Sequence, residues 1–248
     1  MNVEEYEIMA NVEDRHWWYA GLRALLERSW RRHVRGGASQ PLRALDVGCG
    51  TGAVLEWLAQ RAEPFGIDLS MEAARFCRAR RHGQDRFALG SAVSLPFGSA
   101  SFDIALCLDV LGQNSIADKR APVREIYRIL KPGGILIANL PAYQWLMSSH
   151  DAAVYNDHRF TRREVLGLLR ECSFEPVETT YWNTLLFPPI MLTRFWRKFA
   201  PARQSDLAGG CDGVLPWIFS KALTLERRLI ALTPMPFGLS ILTVARKR

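Results

Sequence analysis

The sequence predicts an α/β domain built on a mostly parallel sheet with helices on both faces, and three observations carry that reading. Short apolar runs alternate with amphipathic segments along most of the chain. Three closely spaced glycines, Gly48, Gly50 and Gly52, follow the first of those runs, as a strand turning tightly into a helix requires. The length of 248 residues, with 48% hydrophobic and 23% charged side chains, suits one large domain with an appendage; it excludes disordered, collagenous and repeat-built chains.

Leu22, Leu25, Leu26, Trp30 and Val34 recur at helical spacing, which predicts an amphipathic helix over 18–35 ended by Gly36 and Gly37, and a helical cap over residues 1–40. Leu42 to Val47 reads as the first strand, and AVLEWLAQR from Ala53 as the helix after the glycine turn. A strand at Pro64 to Leu69, a helix at Met71 to Arg81, and strands at Arg86 to Gly90 and Phe102 to Leu108 follow. Pro122 to Leu130 is helical; KPGG at Lys131 to Gly134 stops it before a fifth strand at Ile135 to Leu140. Thr161 with Glu164 has the spacing of a capping box and opens a helix to Glu171. Phe174 to Thr180 and Ser240 to Ala245 complete seven strands. The core is therefore expected over residues 41–183 and 240–248. Residues 184–239 form an insertion with one helix, Val214 to Leu232, too rich in aromatic residues for a mere linker.

Lys and Arg number 32 against 25 Asp and Glu, a net charge of +7 that is compatible with an anionic partner without demanding one. Five cysteines, Cys49, Cys77, Cys107, Cys172 and Cys211, are scattered without a CxxC pair, which argues against a disulfide framework or a zinc ribbon and for a reducing compartment. The acidic opening residues do not read as a secretory leader, and no apolar stretch reaches membrane-spanning length. A cytoplasmic location is the expectation.

In an open α/β sheet, ligands bind at the carboxyl ends of the strands, where glycine lets backbone N–H groups approach closely. DVGCGTG lies at that place, with Asp46 ending the first strand and Asp68 the second, where a carboxylate can accept both hydroxyls of a ribose. A nucleoside cofactor follows. The spacing is GxGxG rather than the dinucleotide GxGxxG, and the GxxxxGK[ST] phosphate loop is absent, so NAD and ATP take second rank.

Together with GIDLS at Gly66 to Ser70, LPF and SFDIALCLDVL between Leu95 and Leu111, and LKPGG at Leu130 to Gly134, the LDVGCGTG segment resembles the class I S-adenosylmethionine-dependent methyltransferases over residues 42–180. The resemblance implies a Rossmann-like fold with S-adenosylmethionine as cofactor. Asp46, Gly48, Gly50 and Gly52 would hold its methionine part, with Cys49 also in the cofactor-binding set, Asp68 its ribose, and Leu69 would pack on adenine. Ser91 replaces an aspartate the family often carries there, and Ala92 and Leu108 complete the expected cofactor set. Asp109 stands where the family commonly has an acidic residue followed by a histidine; Gly112 and Gln113 replace the latter pair.

Methyl transfer from a sulfonium is an in-line displacement, so a base is needed only if the acceptor must lose a proton. The segment after the fifth strand gathers Tyr143, His150, Asp151, Asp157 and His158; the histidines are candidate bases, with Asp151 or Asp157 to orient an imidazole, and His150 ranks first. No metal is assigned, because their spacing matches no metal motif. His16, Trp17, Trp18 and Tyr19 could wall an acceptor pocket or simply anchor the helix. HWW, PAYQWLMSSHD and PFGLS resemble a subgroup of the family from bacterial biosynthetic settings, which implies a helical lid. The insertion holds seven Arg or Lys and three Asp or Glu; TRFWRKFAPAR within it could rest on an anionic membrane, although a lid is preferred. The resulting expectation is a methyltransferase acting on oxygen or nitrogen of a small biosynthetic intermediate. A peripheral-membrane enzyme with a lipid acceptor and a non-catalytic cofactor-binding scaffold are the alternatives. No nucleic-acid partner is expected, since no base-methylating signature follows the fourth strand.

Overall fold

The structure, a computed structural model, describes residues 1–35, 41–80, 86–197 and 213–248, with backbone alone over 193–197. Its elements run α1 (Val3–Val12), α2 (Trp17–His33), β1 (Arg43–Val47), α3 (Ala53–Ala59), β2 (Glu63–Asp68), α4 (Met71–Ala79), β3 (Phe87–Leu89), β4 (Phe102–Leu108), α5 (Arg120–Ile129), β5 (Leu130–Pro141), α6 (Ser149–Ala153), α7 (Arg162–Glu171), β6 (Phe174–Trp182), α8 (Phe187–Arg197), α9 (Val214–Leu232) and β7 (Ser240–Lys247). The seven-stranded sheet has the order β3-β2-β1-β4-β5-β7-β6. All pairs are parallel except those of β7, which runs antiparallel to β5 and β6. The predicted fold class is the observed one.

The near-continuous apolar strands β1 and β4 lie at the centre, as strands buried on both faces must. Chain order reverses between β1 and β4, so their carboxyl ends, followed by the glycine turn and by Asp109, form the crevice of the sheet. The capping box at Thr161 is present: its backbone N–H and hydroxyl both bond Glu164 at 2.6 Å, and the Glu164 N–H returns to the hydroxyl.

Three helices were not expected from sequence. In α1 the apolar residues Val3, Tyr6, Ile8, Met9 and Val12 are spread around the helix instead of lining one face, and Tyr6 is buried with its hydroxyl on Asp68. The segment expected as a loop after β5 contains α6, fixed by a capping box between Ser148 and Asp151. The insertion holds α8 in addition to α9. The expected glycine stop at Gly36 and Gly37, the glycine pair 209–210, Cys211 and residues 198–203 of the basic aromatic run lie outside the described residues. Among the described residues, no helix is long and apolar enough to cross a membrane.

The β4 loop and the segment after α6 cross at Gly112. Its carbonyl accepts the N–H groups of Asp157 and His158, and a Cβ at this position would stand 2.0 Å from Asn156 Oδ1 and 2.4 Å from the His158 carbonyl oxygen. Gly112→Ala is therefore expected to force the two segments apart and cost about 1–3 kcal/mol, read as a lowered urea midpoint with an unchanged slope.

Candidate functional site

The cradle is a turn in which Gly48, Gly50 and Gly52 all have left-handed φ, at 77°, 51° and 87°. The turn is tied to β2 at three points: the Gly48 and Cys49 N–H groups bond the Ile67 carbonyl at 2.7 and 3.1 Å, and the Gly50 N–H bonds Asp68 Oδ2 at 2.9 Å. The other Asp68 oxygen accepts the Ser70 N–H at 3.0 Å and the Tyr6 hydroxyl at 3.5 Å. Ser70 in turn caps α4. Cys49 contributes only its backbone here, because its thiol packs against Gly66 of β2 and lies beside Cys77.

Asp46 is 2% exposed, and no hydrogen bond or cationic side chain reaches its carboxyl among the described residues. Burial first, then the nearby Asp68, pushes it up to about 8. A buried carboxylate without a donor is costly, so the donor set fits a ligand that brings its own positive charge. Leu69 is 62% exposed beside the cradle, free to wall a flat ring, and Val93 in the β3 loop is also exposed. The Ser91 hydroxyl accepts the Val93 N–H at 3.4 Å as part of a turn, and Ala92 and Leu108 are half-buried against the core.

The N-terminal helices cover this turn. Met9 on α1 sits where a Cβ on Gly50 would come within 2.9 Å, and Tyr6 reaches Asp68. Arg80 fastens the cover: it bonds the Thr51 carbonyl at 2.9 Å, Glu56 at 2.7 Å and the buried Glu13 at 2.6 Å, while the Thr51 hydroxyl also bonds Glu13. His16 is a capping residue, its Nδ1 accepting the Trp18 N–H at 3.3 Å, and burial holds its imidazole below the usual range. Trp17 packs edge-on to Phe219 of α9, and Trp18 packs against Trp182 and Tyr19. These two indoles anchor the cap to the core. Tyr19 stands close enough to Asp109 and Glu13 for their charges to raise its phenol further, after burial has done most.

Asp109 follows β4 with φ 58°, a backbone conformation that Asp tolerates better than most residues. Its Oδ2 accepts the Asn139 Nδ2 at 2.8 Å, and Asn139 Oδ1 accepts the Trp182 indole N–H at 2.8 Å. An indole can only donate, so it fixes the amide with its NH₂ toward Asp109. Burial pushes Asp109 up to about 6, against the lowering effects of the Asn139 bond and then of Arg159. Sequence reasoning left both residues off the site. The available signal was a polar Asn inside the apolar run ILIANL.

The residues expected to handle a proton are differently employed. Asp151 is held by Arg159 through both oxygens at 2.9 Å and by Ser148 and Asn156, so it orients no imidazole, and these contacts keep its carboxyl below the ordinary range despite burial. Asp157 pairs with Lys119 instead of a histidine. His158 faces Glu164 at 3.6 Å at the start of α7. The Tyr143 ring stacks on Tyr181 at 5.3 Å and on Trp145 at 5.8 Å, and burial, then Tyr181, raises its phenol well above the usual range. His150 alone of this group keeps a buried ring nitrogen, Nδ1, without a partner. Tyr143, Trp145, Tyr181, Phe187 and Phe237 instead form an aromatic wall beyond the carboxyl end of β5. The PFGLS segment reaches that wall because Gly238 passes Trp182 where a Cβ would be 2.3 Å from its carbonyl oxygen. No group of three or more His, Cys, Asp or Glu among the described residues is placed to hold a metal ion.

Known proteins resemble this chain in sequence and in fold. Residues 45–138 match the family described as "Methyltransferase domain". The O-methyltransferase cnsE of Penicillium expansum is 33% identical over 159 residues, 59% of this chain and 57% of that relative. The chain thus spans little more than half the length of this relative. The crystal structure of geranyl diphosphate C-methyltransferase from Streptomyces coelicolor A3(2), with S-adenosylhomocysteine bound, superposes with a TM-score of 0.59 at 18% identity, covering 91% of this chain and 76% of that one. The cyclase SpnF superposes with a TM-score of 0.60 at 23% identity, covering 93% and 82%.

Asp46 supplies a pH test of the site. Its folded pKa lies above the ordinary 3.8, so its contribution to stability is complete below that value and is lost as pH rises through about 8. The stability of the wild type relative to Asp46→Asn is expected to fall as pH is raised across that window, measured by urea unfolding of both proteins. Residues 45–138 thus match a methyltransferase domain, and the sheet around them has the fold of a solved methyltransferase.

Proposed function

We propose that the protein is an S-adenosylmethionine-dependent methyltransferase that modifies oxygen or nitrogen of a small biosynthetic intermediate. The observation that carries the reading is the pairing of an unpartnered buried carboxylate, Asp46, with a glycine turn bonded to Asp68 on the adjacent strand. Asp46 and the backbone of Gly48, Gly50 and Gly52 would hold the charged methionine end, Asp68 the ribose hydroxyls, and Leu69 one face of adenine. The cofactor, when bound, supplies an electrophilic methyl group on a sulfonium.

The chain's own residues then have three tasks. The cap formed by α1 and α2 excludes water, and is held down by Glu13 and Arg80. The aromatic wall around Tyr143 offers an apolar surface for the acceptor. Asp109, its amide partner fixed by Trp182, is the group placed to take a proton from the acceptor, with His150 the second candidate. A scaffold function competes because one fold serves many chemistries.

Calorimetry with S-adenosylhomocysteine and transfer of labelled methyl to candidate acceptors test the reading. Asp68→Ala is expected to weaken binding at least about ten-fold, as loss of charge-assisted hydrogen bonds does. Binding without transfer to any acceptor would favour the scaffold, and absence of binding would overturn both. Asp109→Asn keeps the left-handed backbone and is expected to preserve cofactor affinity while slowing turnover about a hundred-fold or more. The wild-type rate is expected to rise with pH through about 6 as Asp109 ionises among Asn139, Arg159, Asp151 and Tyr19. If His150→Ala slows turnover that far and Asp109→Asn leaves it unchanged, the base is the histidine.

A further inference from the structure

Helix α9 is apolar on two sides. Its inner side, with Leu223 and Ile230, buries against the core, and Phe219 meets Trp17 of α2. Aliphatic side chains on the opposite side have no such explanation: Val214, Ile218, Leu225, Leu229 and Leu232 recur at helical spacing and are all exposed, Val214 at 74% and Leu232 at 84%. Along one edge of this row stand Trp217, Lys221 and Arg228, with the Lys221 ammonium 5.6 Å from the Trp217 ring. Neither Lys221 nor Arg228 pairs with a carboxylate among the described residues. The helix has one acidic residue, Glu226, and it is buried, accepting the Leu185 N–H at 3.0 Å. The outward face is therefore apolar with charges of one sign.

We infer that this outer face of α9 docks on an anionic lipid bilayer, lying parallel to it with the apolar row in the acyl boundary and Lys221 and Arg228 at the headgroups. An apolar row beside basic residues and an indole has the chemistry of an interfacial helix: the row enters the bilayer edge, while Lys and Arg stems reach up to phosphates. A second copy of the chain fits less well. An antiparallel isologous contact would set Lys221 and Arg228 of one copy against the same charges of the other. At 19 residues the helix is about 28 Å long, so its face offers roughly 300 Å² per partner, well below the about 800 Å² of a stable interface. The inference concerns binding alone and stands whether or not the proposed chemistry is correct.

Co-sedimentation of the full chain with vesicles tests it. The protein is expected to pellet with phosphatidylcholine vesicles containing phosphatidylglycerol, far less with phosphatidylcholine alone, and less again as salt is raised. The pair Lys221→Glu with Arg228→Glu is expected to weaken binding at least about five-fold for each charge removed. Ile218→Asp with Leu225→Asp is expected to weaken it at least about ten-fold. All four positions are exposed, so dichroism and melting temperature should match the wild type. Wild-type protein that stays in the supernatant with anionic vesicles overturns the inference, as do variants that pellet like the wild type. A concentration-dependent dimer abolished by the aspartate pair, with no vesicle binding, would assign the face to a second copy instead.

Discussion

The hydrogen bond from the Gly50 N–H to Asp68 is the contact around which this site is organised. It closes a turn that only residues tolerant of positive φ can make at three nearby positions, and it locks that turn to the neighbouring strand. Because the same carboxylate also receives the Ser70 N–H and the Tyr6 hydroxyl, it positions the start of α4 and the N-terminal cover together. Gly48 has a further constraint, since a Cβ there would fall 2.2 Å from the Val110 side chain and break the packing between the β1 and β4 ends.

The electrostatics of the crevice oppose those of the chain. The protein carries a net +7, yet Asp46, Asp68 and Asp109 converge at the carboxyl ends of β1, β2 and β4. Asp68 accepts N–H donors and Asp109 one amide, whereas Asp46 has no donor among the described residues, and burial pushes the carboxyls of Asp46 and Asp109 up. Basic residues lie mainly elsewhere; Arg80 and Arg159 approach, but each is committed to a buried carboxylate, Glu13 or Asp151. A cationic ligand would then meet negative potential in a water-poor site.

The cover is more than a lid laid on top. Glu13 and Arg80 couple the α1 end to the Thr51 carbonyl of the turn, while Trp17 and Trp18 couple α2 to α9 and to Trp182. Trp182 then continues through Asn139 to Asp109. Cap, insertion and Asp109 thus share one indole, which gives the N-terminal and C-terminal additions to the fold a direct route to the crevice. The fold itself does not choose the reaction, as its similarity to both a C-methyltransferase and a cyclase shows.

The sequence by itself determined the sheet, the glycine turn, the places of Asp46 and Asp68, and the capping box at Thr161. Each is a local property: periodicity, glycine spacing or a pattern three residues apart. Tertiary structure decided which polar groups are free. Asp151 looked like a partner for histidine because both lie close in sequence, but it is Arg159 that closes on it, and His16 looked like a wall residue but caps its own helix. Asp109 follows β4 and meets Asn139 of β5 because the register sets Leu108 beside Asn139, and α1 packs on α4 and reaches the end of β2 through Tyr6 and Asp68. Local spacing fixes which elements form, while hydrogen-bond partners are chosen by three-dimensional proximity, which no run of neighbouring residues encodes.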